Sequence, residues 1–230
     1  MRSFDDARNW CALLFGFYGL LRVGEYTAAS AKAVHIRVRH VTETAEGVRL
    51  IVPYSKTQLT PTPVHICRRP DLLDPVGALR HYNSFFSRPR DPSEPFFVTS
   101  PFASAAHSSL APDPFIKWLK LQAVRIGLSP DRISGHSLRR GGTTALFIAG
   151  VSETVIAKHG RWKSDCYKIY FDANTPNYMA TSILFQQSSS RYLSATSASS
   201  SSSSSAADLP AWLIPSLLPM ITKKEEPLQW

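Results

Sequence analysis

GHSLRRGGTT, residues 135–144, is the stretch on which the reading of this chain turns. It predicts a helix over 137–149, ended by Gly150. His136 and Arg139 stand three apart, so one helical face, or the helix and its cap, presents a proton-handling ring together with a fixed cation. Working outward, Ser152 and Glu153 open a short helix towards His159, which Gly160 stops, and 165–171 reads as one or two helical turns. In the other direction a helix is expected over 113–126, capped by Asp113 with Pro114 next. Residues 89–114, rich in Pro and Ser, read as loop, and 75–86 as a helix led by Pro75. Residues 34–41 alternate basic with apolar (His35, Arg37, Arg39 against Val34, Ile36, Val38), the pattern of a strand with one wet, positive face. Glu46 and Gly47 mark a turn, 48–53 a second strand, 55–63 a polar connection and 64–67 a third strand. Residues 4–21 form a helix apolar around most of its circumference, with Asp5 and Asp6 at its positive end. The expected fold class is α+β, mostly α, with a small three-stranded antiparallel sheet.

The 230 residues carry 26 Lys+Arg against 17 Asp+Glu, a net charge of +9. The charges after Phe185 cancel, so the whole excess sits on 1–185. An apolar fraction of 43% supports a globular core. Cys11, Cys67 and Cys166 are an odd, widely spaced set, which excludes a disulfide framework, and no Cys/His pair has structural-zinc spacing. A reducing compartment fits. The longest apolar run, 11–21, is too short to cross a bilayer. It reads as a buried helix rather than a signal peptide, because Asp5 and Asp6 acidify its approach and Arg22 ends it. A basic, reduced domain without a span points to a polyanion partner, meaning nucleic acid. The Ser-rich segment 187–207 cannot build a core and reads as a linker. The tail 208–230 is apolar but broken by Pro210, Pro215 and Pro219.

Three stretches carry chemistry: LLRVGEYT at 20–27, GHSLRRGGTT at 135–144 and GRWKSDCYKIY at 160–170. Taken singly, each has an ordinary reading. Arg22 is a cation at a helix end, His136 a cap neighbour, Trp162 and Tyr170 core aromatics. Together, in this order and with Lys56 in SKTQ after a strand, the chain resembles the catalytic domain of the tyrosine recombinases (the phage-integrase family) over residues 5–182. The wording GRWKSD is similar to that of the Crypton- and DIRS-like transposon members. Arg22 matches the family's first arginine, with Glu25 as its acidic neighbour. Lys56 matches the hairpin lysine, and His136 and Arg139 the His-x-x-Arg pair. Trp162 matches the His/Trp position and Tyr170 the nucleophile.

The resemblance implies a metal-independent DNA strand transferase without cofactor, cleaving and rejoining duplex DNA through a covalent 3′-phosphotyrosine. It implies a tetramer on DNA and a nuclear location in a eukaryote. The residue types suit that chemistry. Planar guanidiniums of Arg22 and Arg139 can hold non-bridging oxygens. His136 can handle a proton, Lys56 can protonate the leaving 5′ oxygen, and Trp162 can donate its indole N–H. Tyr167, three residues before Tyr170, competes for the nucleophile role, and His159 competes with Trp162. Tyr170 and Trp162 are preferred. Arg37, Arg39, Lys117, Lys120 and Arg140 are expected on the DNA backbone, where each neutralised phosphate adds salt-dependent affinity. Residues 1–186 make the catalytic domain in this reading. Family members usually carry an N-terminal helical clamp, so the chain is expected to be a fragment or a decayed copy. Type IB topoisomerases share the chemistry. A descendant that binds DNA and cuts nothing is the alternative from a different class.

Overall fold

The computed structural model describes residues 3–28, 33–53, 60–102 and 109–170. Lys56, the linker at 187–207 and the tail at 208–230 lie outside the described residues. In chain order the elements are α1 (Phe4–Tyr18), α2 (Val23–Tyr26), a 3-10 turn (Val38–His40), β1 (Val41–Glu43), β2 (Gly47–Val52), β3 (Thr62–Cys67), α3 (Pro75–Asn83), α4 (Pro112–Arg125), a second 3-10 turn (Pro130–Arg132), α5 (Ser137–Ile148), α6 (Glu153–His159) and a last 3-10 stretch (Asp165–Tyr170). The fold is mixed α and β, mostly helical, with one small antiparallel sheet ordered β1-β2-β3.

The central element is α1. Ser3 caps it by accepting the Asp6 N–H at 3.1 Å, and an unbroken run of residues from Ala7 to Phe17 is buried. A helix apolar on most sides needs neighbours on most sides, and α1 packs on both α3 and α5. The α5 contact is close because two glycines lack side chains. A Cβ on Gly142 would lie 2.2 Å from the Phe17 carbonyl oxygen, and one on Gly16 would lie 3.0 Å from Leu138 Cδ1 of α5. On the α3 side, Tyr82 donates its hydroxyl to the Phe96 carbonyl and receives the Val98 N–H. Its ring sits among those of Phe96 and Phe97, with the Arg90 guanidinium 5.9 Å from its centroid. The sheet turns Val48, Leu50, Val52, Val64 and Ile66 inward and leaves Arg49 and His65, paired across β2 and β3, exposed. Pro63 lies on the edge strand, where its missing N–H costs little. Among the described residues no helix is long and apolar enough to cross a membrane.

The strand expected at 34–41 does not form. Ile36 gives its N–H to Glu25 and takes one from Phe96, Val38 bonds Glu94, and Arg39 bonds Pro92. The segment is thus held by the end of α2 and by residues 92–96, and β1 begins only at Val41 after the 3-10 turn. The positive face dissolves with it. His35 is buried, with its Nδ1 2.7 Å from the Ala33 carbonyl. Arg37 turns its guanidinium to the Ser93 carbonyl, and only Arg39 of the three is exposed. The start of α4 also differs. Ala111 stands at the N-cap and Pro112 opens the helix, so Asp113 acts within the first turn as an acid at the positive end of the helix dipole.

Candidate active site

Two helix ends meet to make the site. α1 closes with Leu21 N–H on Gly16 and Leu20 N–H on Phe17, and α6 closes with Trp162 N–H on Ala157 and Arg161 N–H on Lys158. This paired closure needs a left-handed residue just past the cap, ordinarily glycine. α4 and α5 obey, with Gly127 and Gly150 at φ 78° and 76°. At the site the left-handed residues are Leu20 (φ 46°) and Arg161 (φ 62°). Gly160, read from sequence as the helix stop, is the cap itself, and the left-handed turn falls on Arg161. Gly160 has a different duty. A Cβ there would sit 1.7 Å from the Trp162 ring, so its bare backbone is what lets the indole fold back.

The carbonyls at these ends carry the negative pole of each helix, and arginines satisfy them. Arg139, from the first turn of α5, donates Nη1 to Leu20 O and Nη2 to Gly160 O. Its side chain is fully buried, and its Cζ stands 4.0 Å from the Trp162 ring centroid. Arg161 donates Nη1 to Gly19 O at 3.1 Å and Nη2 to Leu20 O at 3.2 Å and to Glu25 Oε2 at 2.7 Å. Glu25 in turn receives the Arg22 backbone N–H at 2.8 Å and Arg22 Nη1 at 3.1 Å. Two guanidiniums therefore grip one carboxylate, with the Arg139 charge close enough to feel all three. Burial, then the charges of Arg22 and Arg161, lower the Arg139 pKa to about 10, opposed by Glu25 and Tyr170. Arg139 stays charged at neutral pH. Burial likewise lowers Arg161, with Glu25 opposing.

Tyr170 closes the cluster. Its ring lies 6.0 Å from that of Trp162, and the Arg140 guanidinium stands 5.8 Å from its centroid. Thr144 of α5 donates its hydroxyl to the Tyr170 carbonyl at 3.1 Å, fastening the last 3-10 stretch to α5. The competing Tyr167 is buried against Trp162, with its hydroxyl 3.4 Å from Glu153. His159 is occupied by the Tyr18 carbonyl at 2.8 Å.

Of the residues singled out in the sequence, Arg22, Arg139, Trp162 and Tyr170 come together, and Arg140 joins them. His136 caps α5 one turn before Arg139 and is exposed, with its side chain outside the cluster's hydrogen bonds. Lys117 and Lys120 sit on α4, Lys117 exposed and Lys120 half-buried. Sequence reasoning missed Arg161 and Thr144. Arg161 stood inside the quoted GRWKSD motif, but no local signal marks a side chain whose partners lie some 140 residues upstream. Among the described residues no group of His, Cys, Asp or Glu is arranged to hold a metal ion. The cluster reaches solvent at Arg22, its side chain 35% exposed, and at the half-buried Arg140, Trp162 and Tyr170. A cluster of four guanidiniums (Arg22, Arg139, Arg140 and Arg161) around one carboxylate, beside an indole and a phenol, suits an oxyanion such as a phosphodiester. No protein-family model and no curated protein matches the chain.

Proposed function

We propose that this chain is the catalytic domain of a tyrosine recombinase, which cleaves and rejoins duplex DNA for recombination or integration. The observation that carries the reading is the gathering of Arg22, Arg139, Trp162 and Tyr170, from three distant parts of the chain, around an excess of positive charge. In the proposed step Tyr170 Oη bonds to phosphorus while the bond from phosphorus to the 5′ oxygen breaks. His136 takes the phenol proton, and Lys56 gives one to the 5′ oxygen. Arg22 neutralises the non-bridging oxygens, with the charge of Arg139 behind it. One phosphate ester replaces another, so the reverse step reseals the strand without ATP. The partner is double-stranded DNA, bound by a tetramer, and the setting is a transposon-derived element in a nucleus.

The engagement of Tyr167 by Glu153 favours Tyr170 as nucleophile. A pool of nicked duplexes with a randomised centre, followed by denaturing electrophoresis, tests the step. A covalent adduct is expected that Tyr170→Phe abolishes and Tyr167→Phe keeps. The opposite pattern would reassign the nucleophile. A second reading draws on the burial of Arg139 and the engagement of both its terminal nitrogens by carbonyls: a module that holds DNA and cuts nothing. It predicts salt-sensitive retardation of the duplexes with no adduct from any variant.

A further inference from the structure

We infer that Arg161 is a positioning residue of this site: it grips Glu25 from the buried side and thereby fixes the Arg22 guanidinium and leaves its charge uncompensated. The consequence for DNA cleavage rests on the recombinase reading; the positioning itself does not.

The geometry is a relay of three residues. Glu25, with its side chain 7% exposed, takes Arg161 Nη2 on Oε2 and Arg22 Nη1 on Oε1. The Arg161 side chain is 1% exposed and is tied to the Gly19 and Leu20 carbonyls, three and two residues before Arg22 in the chain. It is a fixed post on the same backbone that carries Arg22. Without it, Glu25 would face Arg22 alone, and that pair would be neutral. With it, the carboxylate is shared, and Arg22 faces solvent with positive charge to spare for an anion.

The side chain sits here at a cost that a merely space-filling role does not explain. Its φ of 62° is the left-handed conformation that glycine fills at the ends of α4 and α5. Its Nε is buried with no hydrogen-bond partner. It also brings a third cation beside Arg22 and Arg139. A strained, desolvated cation aimed at the one carboxylate that orients Arg22 points to the function of Arg22.

The test uses the whole chain and the variants Arg161→Gly and Arg161→Lys. Glycine suits the backbone, so Arg161→Gly is expected to fold by circular dichroism; should it not, Arg161→Lys supplies the comparison. The first readout needs no DNA. In nitrogen-labelled protein the Arg22 guanidinium protons, assigned with Arg22→Lys, are expected to give separate, slowly exchanging signals. These merge in Arg161→Gly and are partly restored in Arg161→Lys. Unchanged Arg22 signals in a folded Arg161→Gly would overturn the inference.

The second readout is adduct formation on a duplex recovered from the nicked pool, with phosphate or with neutral methylphosphonate at the cleaved position. Arg161→Gly is expected to slow the phosphate reaction about 10- to 100-fold, the usual range for a partner that orients a site group. The methylphosphonate, carrying one charge fewer, should be slowed much less. Equal slowing on both would make Arg161 a purely structural residue and overturn the inference. Wild-type protein that forms no adduct on any duplex, yet shows the Arg22 signal change, would refute the recombinase reading and leave the positioning role standing.

Discussion

Arg139 is where stability and chemistry pull hardest against each other. Its pKa falls from the ordinary arginine value to about 10, chiefly through burial. The folded state holds this proton less tightly than the unfolded state does. The burial cost is therefore full at neutral pH and is relieved as pH rises above about 10 towards the ordinary arginine value, and at neutrality it is worth about 3 kcal/mol. Against it stands the buried Gly160 carbonyl, which would be left unpaired at a cost of about 1–3 kcal/mol, while Leu20 O would keep its bond from Arg161. The two nearly offset, as expected when a buried charge is exchanged for an apolar side chain. Arg139→Leu is therefore expected to stay within about 2 kcal/mol of wild type in urea unfolding, while adduct formation disappears. A loss well beyond 4 kcal/mol, on the scale of a broken buried ion pair, would show instead that the guanidinium is chiefly a pillar of the fold. The sequence pointed to Arg139 through its spacing from His136. It gave no sign that the side chain would be buried, because that depends on carbonyls at the ends of two other helices.

Among the elements, those whose start and stop are written locally were readable from sequence. α1 has its cap Ser3 and its acidic first turn, α3 has Asp74 capping just before Pro75, and α5 ends at Gly150. The segment 34–41 shows what alternation omits: it says which side chains are wet but not who takes the backbone hydrogen bonds. Here residues 92–96 and Glu25 take them. The seam between α1 and α5 is equally silent in sequence, since a glycine pair in a helix reads as weakness. In the structure Gly142 is the contact that sets the depth of α5, and hence where Arg139 and Thr144 stand. Gly142→Ala would put a Cβ 2.2 Å from a backbone oxygen, which cannot swing away. The expected loss is about 1–3 kcal/mol of stability, together with slower adduct formation as α5 is pushed off α1. The control is Gly24→Ala in α2, where a Cβ meets nothing within 4 Å. There the smaller unfolded-state entropy should leave stability unchanged or raise it by about 0.5–1 kcal/mol. Thermal midpoints of the two variants decide the matter: equal shifts would show that the seam is not close-packed.

At the scale of the whole molecule, the apolar centre that lets distant arginines meet also decides how the fold fails in alkali. Burial pushes Tyr18 and Tyr82 up to about 12, in each case against nearby guanidiniums, Arg69 for Tyr18 and Arg90 and Arg8 for Tyr82. Tyr26 is pushed up further by burial and by Glu25, and the Cys11 thiol by burial alone. Each of these acids keeps its proton in the folded state at a pH where the unfolded chain has released it. Stability therefore falls as pH rises, from about 9 for the thiol and about 10 for the phenols. Each group removes about 1.4 kcal/mol per pH unit, and Arg139, moving the other way, returns one such increment. Arg161 and Arg8, also lowered by burial, oppose the fall as well, so the balance is a loss of at most about 4 kcal/mol per unit above pH 10, against a total stability of order 5–15 kcal/mol for a domain. Unfolding is thus expected between pH 10 and 12, as one step in which tyrosinate absorbance rises while helical circular dichroism is lost. Tyr26→Phe keeps the ring against Phe97 and Phe115 and removes one ionisable group, so it should move the midpoint to higher pH. Arg139→Leu, which removes one of the opposing groups, should steepen the fall. Phenols that ionise one after another while the helices persist would mean that the centre admits water, and a wet centre could not hold Arg139, Arg161 and Glu25 in the arrangement on which the proposed chemistry depends.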